Sequence, residues 1–248
     1  MKVSIRTLFF VPLFVAVTLV MSLLALLITL FDKSGNAFRK LGGLWGAIGL
    51  WLSGVKLNII GEENYDRNSP YVIVSNHASM YDILAVLAGV KSNLRIMAKI
   101  ELSKVPIWGW AVKRGDFIFI RRGGNREALQ SLLEAKQKLD EGKSAYIFAD
   151  GTRSPDGSIQ PFKRGAFTIA AKSKKPILPI TILGSYEIMP RNTLKINGGT
   201  ITLVIDKPIS PDGKTDEQLL QESHQIISEN YQKHLAQTPR IPRKVTIS

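Results

Sequence analysis

The sequence predicts an α/β fold, in which a mixed, mostly parallel β-sheet is flanked by helices and preceded by an N-terminal hydrophobic helical membrane anchor. Three observations predict it. Phe9 to Phe31 is an unbroken run without a charged residue, long enough as a helix to cross a hydrocarbon core of about 30 Å. From Val55 onward, short β-branched runs alternate with stretches of helical period, the pattern of a sheet covered by helices. A length of 248 residues suits one α/β domain with an appendage and is short for two enzymatic domains. The expected organisation is a two-helix membrane anchor over residues 1–54 and an α/β domain over residues 55–248.

Within the anchor, Lys2 and Arg6 resemble the start of a secretory signal. The apolar run is too long for one, however, and no Ala-x-Ala site follows it. A polar hinge, Asp32 to Lys40, separates this run from a second apolar stretch, Leu41 to Gly54, which holds Trp45 and Trp51. The second stretch is short for a span, and tryptophan favours the headgroup level. Two arrangements follow: one span plus an interfacial helix, or a helical hairpin seated in one leaflet, and the second is preferred. Basic residues on both sides leave the orientation open.

In the α/β part, strands are expected at Lys56–Ile60, Tyr71–Ser75, Leu94–Ala98, Phe117–Ile120, Ala145–Ala149, Ile177–Leu183 and Thr200–Ile205. Helices are expected at Tyr81–Ala88, Asn125–Asp140, Arg164–Ser173 and Asp216–Gln237, the last opened by a capping-box pattern from Thr215 to Gln218. Pro176 and Pro179 mark a strand start or a sheet edge. The basic, proline-broken tail Pro239 to Lys244 is expected to be loose or to rest on anionic headgroups.

Composition narrows the chemistry. Lysine and arginine number 33 against 20 acidic residues, a net charge of +13, which suits polyanions: nucleic acid, an anionic membrane face or phosphorylated substrates. The apolar N-terminus favours the membrane over nucleic acid. No cysteine is present, so there is no disulfide, no Cys-based zinc site and no acyl-cysteine. A Gly-x-Ser-x-Gly elbow, a Gly-x4-Gly-Lys loop and a Gly-x-Gly-x-x-Gly turn are all missing, which disfavours a serine nucleophile and nucleotide chemistry. No metal or prosthetic group is required.

One histidine stands out. The strand Val72 to Ser75 runs into Asn76-His77 and then into a helix near Met80, placing His77 at the carboxyl end of a strand, where open α/β sheets bind ligands. Imidazole is well suited to take a proton near neutral pH. Asp82 falls in the first turn of the following helix, from which its carboxylate can return to the ring, fix the tautomer and stabilise an imidazolium. With no serine elbow and no cysteine, the nucleophile is expected to be a hydroxyl of the substrate. His224 and His234, on the polar C-terminal helix, are read as surface residues.

At these residues the chain resembles the lysophosphatidate and glycerol-phosphate acyltransferases of bacterial phospholipid synthesis. Four blocks appear in the family's order: Asn76-His77-x-Ser79-x-x-Asp82; Gly115-Asp116-Phe117-Ile118-Phe119-Ile120-Arg121; Phe148-Ala149-Asp150-Gly151-Thr152-Arg153-Ser154; and Lys175-Pro176-Ile177-Leu178-Pro179-Ile180. There are departures: Ala149-Asp150 stands where the family usually has Pro-Glu, one methylene shorter in reach, and Ile120 replaces a common aspartate.

The resemblance implies transfer of an acyl chain from a thioester to the sn-2 hydroxyl of 1-acylglycerol-3-phosphate, yielding phosphatidic acid without a covalent intermediate. In that scheme His77 is the base and Asp82 its orienter. Arg121 and Arg153 hold the acceptor phosphate, since the guanidinium fork matches phosphate oxygens; Lys99, in a Lys-x-Glu-Leu stretch, and Lys163 assist. Arg122 and Arg126 are read as solvated surface charges. Asn76, Ser79, Gly115, Asp150, Gly151 and Thr152 are substrate-binding or structural, and backbone N–H groups at the turn after His77 are the expected oxyanion donors. The co-substrate is an acyl-ACP or an acyl-CoA, so acyl carrier protein is a candidate partner, together with an anionic phospholipid membrane. The resemblance implies the cytoplasmic face of a bacterial inner membrane. A glycerol-3-phosphate acyltransferase, a phospholipid transacylase and a non-catalytic phosphate-binding protein remain alternatives.

Overall fold

The computed structural model describes residues 5–120 and 125–237. Arg121, Arg122, the side chain of Arg126 and the tail from Pro239 to Lys244 therefore lie outside the described residues. Among the described residues, seven strands form one sheet: β1 (Val55–Ile60), β2 (Val72–Ser75), β3 (Leu94–Lys99), β4 (Ile118–Ile120), β5 (Ser144–Phe148), β6 (Ile177–Leu183) and β7 (Gly199–Ile205). Their order is β1-β7-β6-β2-β5-β3-β4. Every pairing is parallel except β6 with β7, in keeping with the mixed, mostly parallel sheet expected.

The helices are α1 (Ile5–Ile28), α2 (Asn36–Leu52), α3 (Tyr81–Gly89), α4 (Trp108–Arg114), α5 (Asn125–Asp140), α6 (Gly165–Ser173), α7 (Ser185–Ile188) and α8 (Asp216–Gln237). The sheet is buried on both faces, as its apolar strands require. Alternation along β2 sends Ile73 into one core, with Leu84, Val86, Ile182 and Leu203. Val72 and Val74 enter the other, with Phe167, Ile177, Leu219 and Ile227. The first layer is covered by α1, α2 and α3, the second by α5, α6 and α8.

Three features differ from expectation. α2 begins at Asn36, inside the segment read as hinge: Gly35 is its N-cap, and the Asp32 carboxylate accepts the first-turn Ala37 N–H at 2.6 Å. Pro179 lies within β6 opposite Val74 rather than at a start or an edge. Its missing N–H is tolerated because it falls between the Ile177–Ile209 bridge and the β7 ladder, which begins at Ile180. His224 and His234 are half-buried rather than plain surface residues, His224 edge-on against Phe162 at 4.8 Å.

Among the described residues, one helix is long and apolar enough to cross a membrane, Thr7–Ile28. It lays a narrow stripe on the protein: Thr7, Phe10, Ser22 and Ala25 are buried, with Phe14 and Thr18 between them half-buried. Phe10 stacks on Tyr81 and Phe14 on Trp45, and the Trp45 indole donates to Thr18 Oγ1 at 3.0 Å. Away from the stripe, Phe9, Val20, Leu23 and Leu27 are exposed. α2 in turn nests on α3. A Cβ at Gly46 would sit 2.5 Å from the Leu84 carbonyl oxygen, so glycine there permits a backbone approach that no other residue allows. Replacing Gly46 by Ala should push α2 off α3 and cost about 1–3 kcal/mol, read as a lower urea midpoint for the detergent-solubilised protein; an unchanged midpoint would mean the two helices part without cost.

Candidate active site

Asn76 ends β2 by continuing its hydrogen bonding through a side chain. Its Nδ2 donates to the Ile182 carbonyl at 2.9 Å, and its Oδ1 accepts the Ile182 N–H at 2.8 Å. The chain then turns at His77, and Asp82 returns to it from the first turn of α3. Asp82 Oδ2 accepts from His77 Nδ1 at 2.7 Å, Ala78 N–H at 2.7 Å and Ser79 N–H at 2.8 Å. The Asp82 side chain is fully buried, while that of His77 keeps 13% exposure. Nδ1 donates to the carboxylate, so Nε2 is the nitrogen able to take up a proton.

The ring is also held from its face. Phe148, at the end of β5, stacks on His77 with centroids 3.9 Å apart and planes 17° from parallel. Beneath it, Ser75 Oγ and Tyr146 Oη share a hydrogen bond of 2.5 Å. Burial raises the Tyr146 phenol well above its ordinary range, so it stays neutral. Neither contact had a signature in sequence, since one aromatic in a strand reads simply as core.

The turn after β5 grips the His77 backbone on both sides. The His77 N–H donates to Asp150 Oδ2 at 2.9 Å, and its carbonyl accepts the Ser154 N–H at 2.8 Å. Asp150 is 3% exposed, and its other oxygen has no hydrogen-bond partner among the described residues. Burial pushes its carboxyl up to about 7, aided by repulsion from Asp82 and opposed by the His77 amide and ring. Gly151 takes a φ of +68°, and the Lys163 side chain packs where a Cβ would sit, 3.1 Å from Nζ.

The remaining expected residues separate into near and far. Arg153 and Thr152 lie in the gripping turn beside His77. Ser79 Oγ donates to the Met189 carbonyl at 2.8 Å and so ties the histidine turn to the loop after α7. Lys99 ends β3 on the same edge of the sheet, but β5 stands between β3 and β2. Gly115 precedes β4 at the opposite edge; a Cβ there would meet the Phe38 ring at 2.0 Å, so its role visible in the fold is packing against α2. The Ala78 and Ser79 amides, expected as oxyanion donors, are taken up by Asp82. Among the described residues, no cluster of His, Cys, Asp and Glu could hold a metal ion.

The family model described as Acyltransferase matches residues 56–183. The chain belongs to that family. Among curated relatives, the chloroplastic 1-acyl-sn-glycerol-3-phosphate acyltransferase BAT2 of Brassica napus is 34% identical over 206 residues, 82% of this chain and 59% of its own length. The 1-acyl-sn-glycerol-3-phosphate acyltransferase alpha of Homo sapiens is 29% identical over 170 residues, 68% of this chain and 60% of its own. The chain thus spans about three fifths of the curated relatives it matches. The crystal structure of the 1-acyl-sn-glycerophosphate (LPA) acyltransferase PlsC from Thermotoga maritima superposes with a TM-score of 0.83 at 25% identity, covering 95% of this chain and 97% of that one.

The buried Asp150 makes stability depend on pH. Folded, it keeps its proton up to about pH 7, whereas an unfolded aspartate releases it near about 4. Between those values the folded state holds the extra proton, so stability falls as pH rises through this window, and above it the loss is complete. Asn at 150 still accepts the His77 N–H but does not titrate. The drop in melting temperature from pH 5 to pH 8 should therefore be smaller for Asp150→Asn than for the wild type; equal drops would show that Asp150 is not the titrating group.

Proposed function

We propose that the protein transfers an acyl chain from a thioester to the sn-2 hydroxyl of 1-acylglycerol-3-phosphate, producing phosphatidic acid. The observation that carries this reading is the 2.7 Å contact between His77 Nδ1 and the buried Asp82 carboxylate, which leaves Nε2 to act as base. Nε2 takes the hydroxyl proton as the oxygen attacks the thioester carbonyl. A C–O bond forms, the C–S bond breaks, and the proton on Nε2 passes to the departing thiolate. Asp82 stabilises the imidazolium between those steps. Phe148 and the Asp150–Ser154 turn supply the fixed orientation on which such a transfer depends.

Arg153 and Lys163 are suited to the acceptor phosphate; Arg121, given that role by the family resemblance, lies outside the described residues, and Lys99 stands one strand further off. An apolar cleft lined by Met21, Trp45, Ile83, Leu87, Trp108 and Phe117 supports a place for an acyl chain, reaching from the residue beside Asp82 to α1. The exposed apolar face of α1 supports seating in a membrane, which confines the enzyme to a lipid substrate. We place it on the cytoplasmic side of a bacterial inner membrane, where an acyl carrier protein or coenzyme A carries the donor. The net charge of +13 suits either anionic donor.

The test is acyl transfer by the purified protein to 1-acylglycerol-3-phosphate from radiolabelled acyl-ACP and acyl-CoA, with glycerol 3-phosphate as competing acceptor. The wild type should form phosphatidic acid. His77→Ala should lose about 10³-fold or more, and Asp82→Asn about 10²–10⁴-fold. Transfer undiminished in His77→Ala would refute the base, and preference for glycerol 3-phosphate would reassign the acceptor.

A further inference from the structure

The loop between α7 and β7 meets the site from the side facing the Asp150–Ser154 turn. Its first contact is the Met189 carbonyl, which accepts from Ser79 Oγ at 2.8 Å. Two residues on, Arg191 Nη1 donates to the Arg153 carbonyl at 3.1 Å. Arg153 directly precedes Ser154, whose N–H donates to the His77 carbonyl, so Arg191 reaches the turn that grips the proposed base. No sequence motif pointed to this residue.

The same loop is pinned at its far end. Thr7, 3% exposed on α1, donates from Oγ1 to the Leu194 carbonyl at 2.9 Å and accepts the Ile196 N–H at 3.2 Å. Ile196 is buried, and Asn197 closes the loop on itself through its N–H to the Ile188 carbonyl at 2.9 Å. Arg191 thus projects from a segment fixed at both ends, before a bend where Asn192 takes a φ of +64°.

Charge gives the loop its meaning. Among the described residues, no ion pair joins either Arg153 or Arg191 to a carboxylate. Two arginines without a carboxylate partner, one on each of two touching loops, make the spot electropositive and suit an anion. A phosphate monoester, doubly charged and rich in acceptor oxygens, is the group the guanidinium fork matches. A solitary surface arginine would contribute little; one carried on a pinned loop beside a second arginine loses less freedom on binding.

We propose that Arg191 binds the phosphate of the acceptor together with Arg153, and that Thr7 is a positioning residue holding the loop that carries it. This rests on the reading of the acceptor as a phosphate-bearing lysolipid. Arg153 approaches that phosphate from the β5 turn, Lys163 from the segment before α6 that packs on this turn, and Arg191 from the α7–β7 loop.

Initial rates of the full chain in detergent micelles, with acceptor and donor each varied at saturating levels of the other, test the assignment. Arg191→Gln should raise KM for 1-acylglycerol-3-phosphate about tenfold or more while KM for the acyl donor stays put, and Arg191→Lys should recover part of the loss. Thr7→Val, which keeps the shape but removes the two hydrogen bonds to the loop, should shift acceptor KM in the same direction, with Thr7→Ser restoring it. An acceptor KM unmoved in Arg191→Gln, or equal rises for donor and acceptor, overturns the assignment. If Arg153→Gln alone raises acceptor KM, the acceptor reading stands and Arg191 is excluded; if the wild type acylates no lysophosphatidate, the acceptor reading itself falls.

Discussion

A carboxylate without access to solvent must find its hydrogen bonds within the protein, and Asp82 collects three on one oxygen. The two backbone donors fix how the chain leaves β2 and enters α3; the third is the His77 ring. The carboxylate that shapes the turn is therefore also the one that orients the proposed base. Because the anion sits in low dielectric, its attraction for an imidazolium is stronger than it would be in water. The same burial makes removing only one partner costly.

Around this turn the sheet brings in supports from distant parts of the chain. β5 runs parallel beside β2 and delivers Phe148 to the ring face and Asp150 to the backbone. β6, on the other side, is tied to Asn76 through Ile182. The crossovers leave β2 and β5 in opposite senses, toward β3 and β6, so a crevice opens above their carboxyl ends. α1 enters the arrangement as well, since Phe10 stacks on Tyr81, the residue before Asp82.

Much of this was legible in the sequence because it is local or periodic. The β-branched runs gave all seven strands to within one or two residues, and the spacing of His77 and Asp82 contained their contact, since a helix starting near Met80 brings the carboxylate back. What escaped was either short or distant. α4 spans only seven residues, Trp108–Arg114, two turns without a resolvable period. Phe148, Ser154 and Arg191 reach the histidine turn through pairings that only the sheet order determines. The N-terminal run shows its helical length and apolar composition but not its packing: nothing in Phe9 to Phe31 advertises which residues turn inward.

That packing bears on how the protein could be handled in solution. The side of α1 that meets the rest of the chain is specific, with Thr7, Phe10, Phe14, Thr18, Ser22 and Ala25 each placed against a partner or a wall of the core. The side that repels water is interchangeable, a coat of Phe, Val and Leu without individual contacts to preserve. Cutting the helix away would uncover the aromatic floor beneath the histidine turn and exchange one insoluble surface for another. Charge placed on the outer coat, with the inner stripe untouched, is the change that spares these contacts.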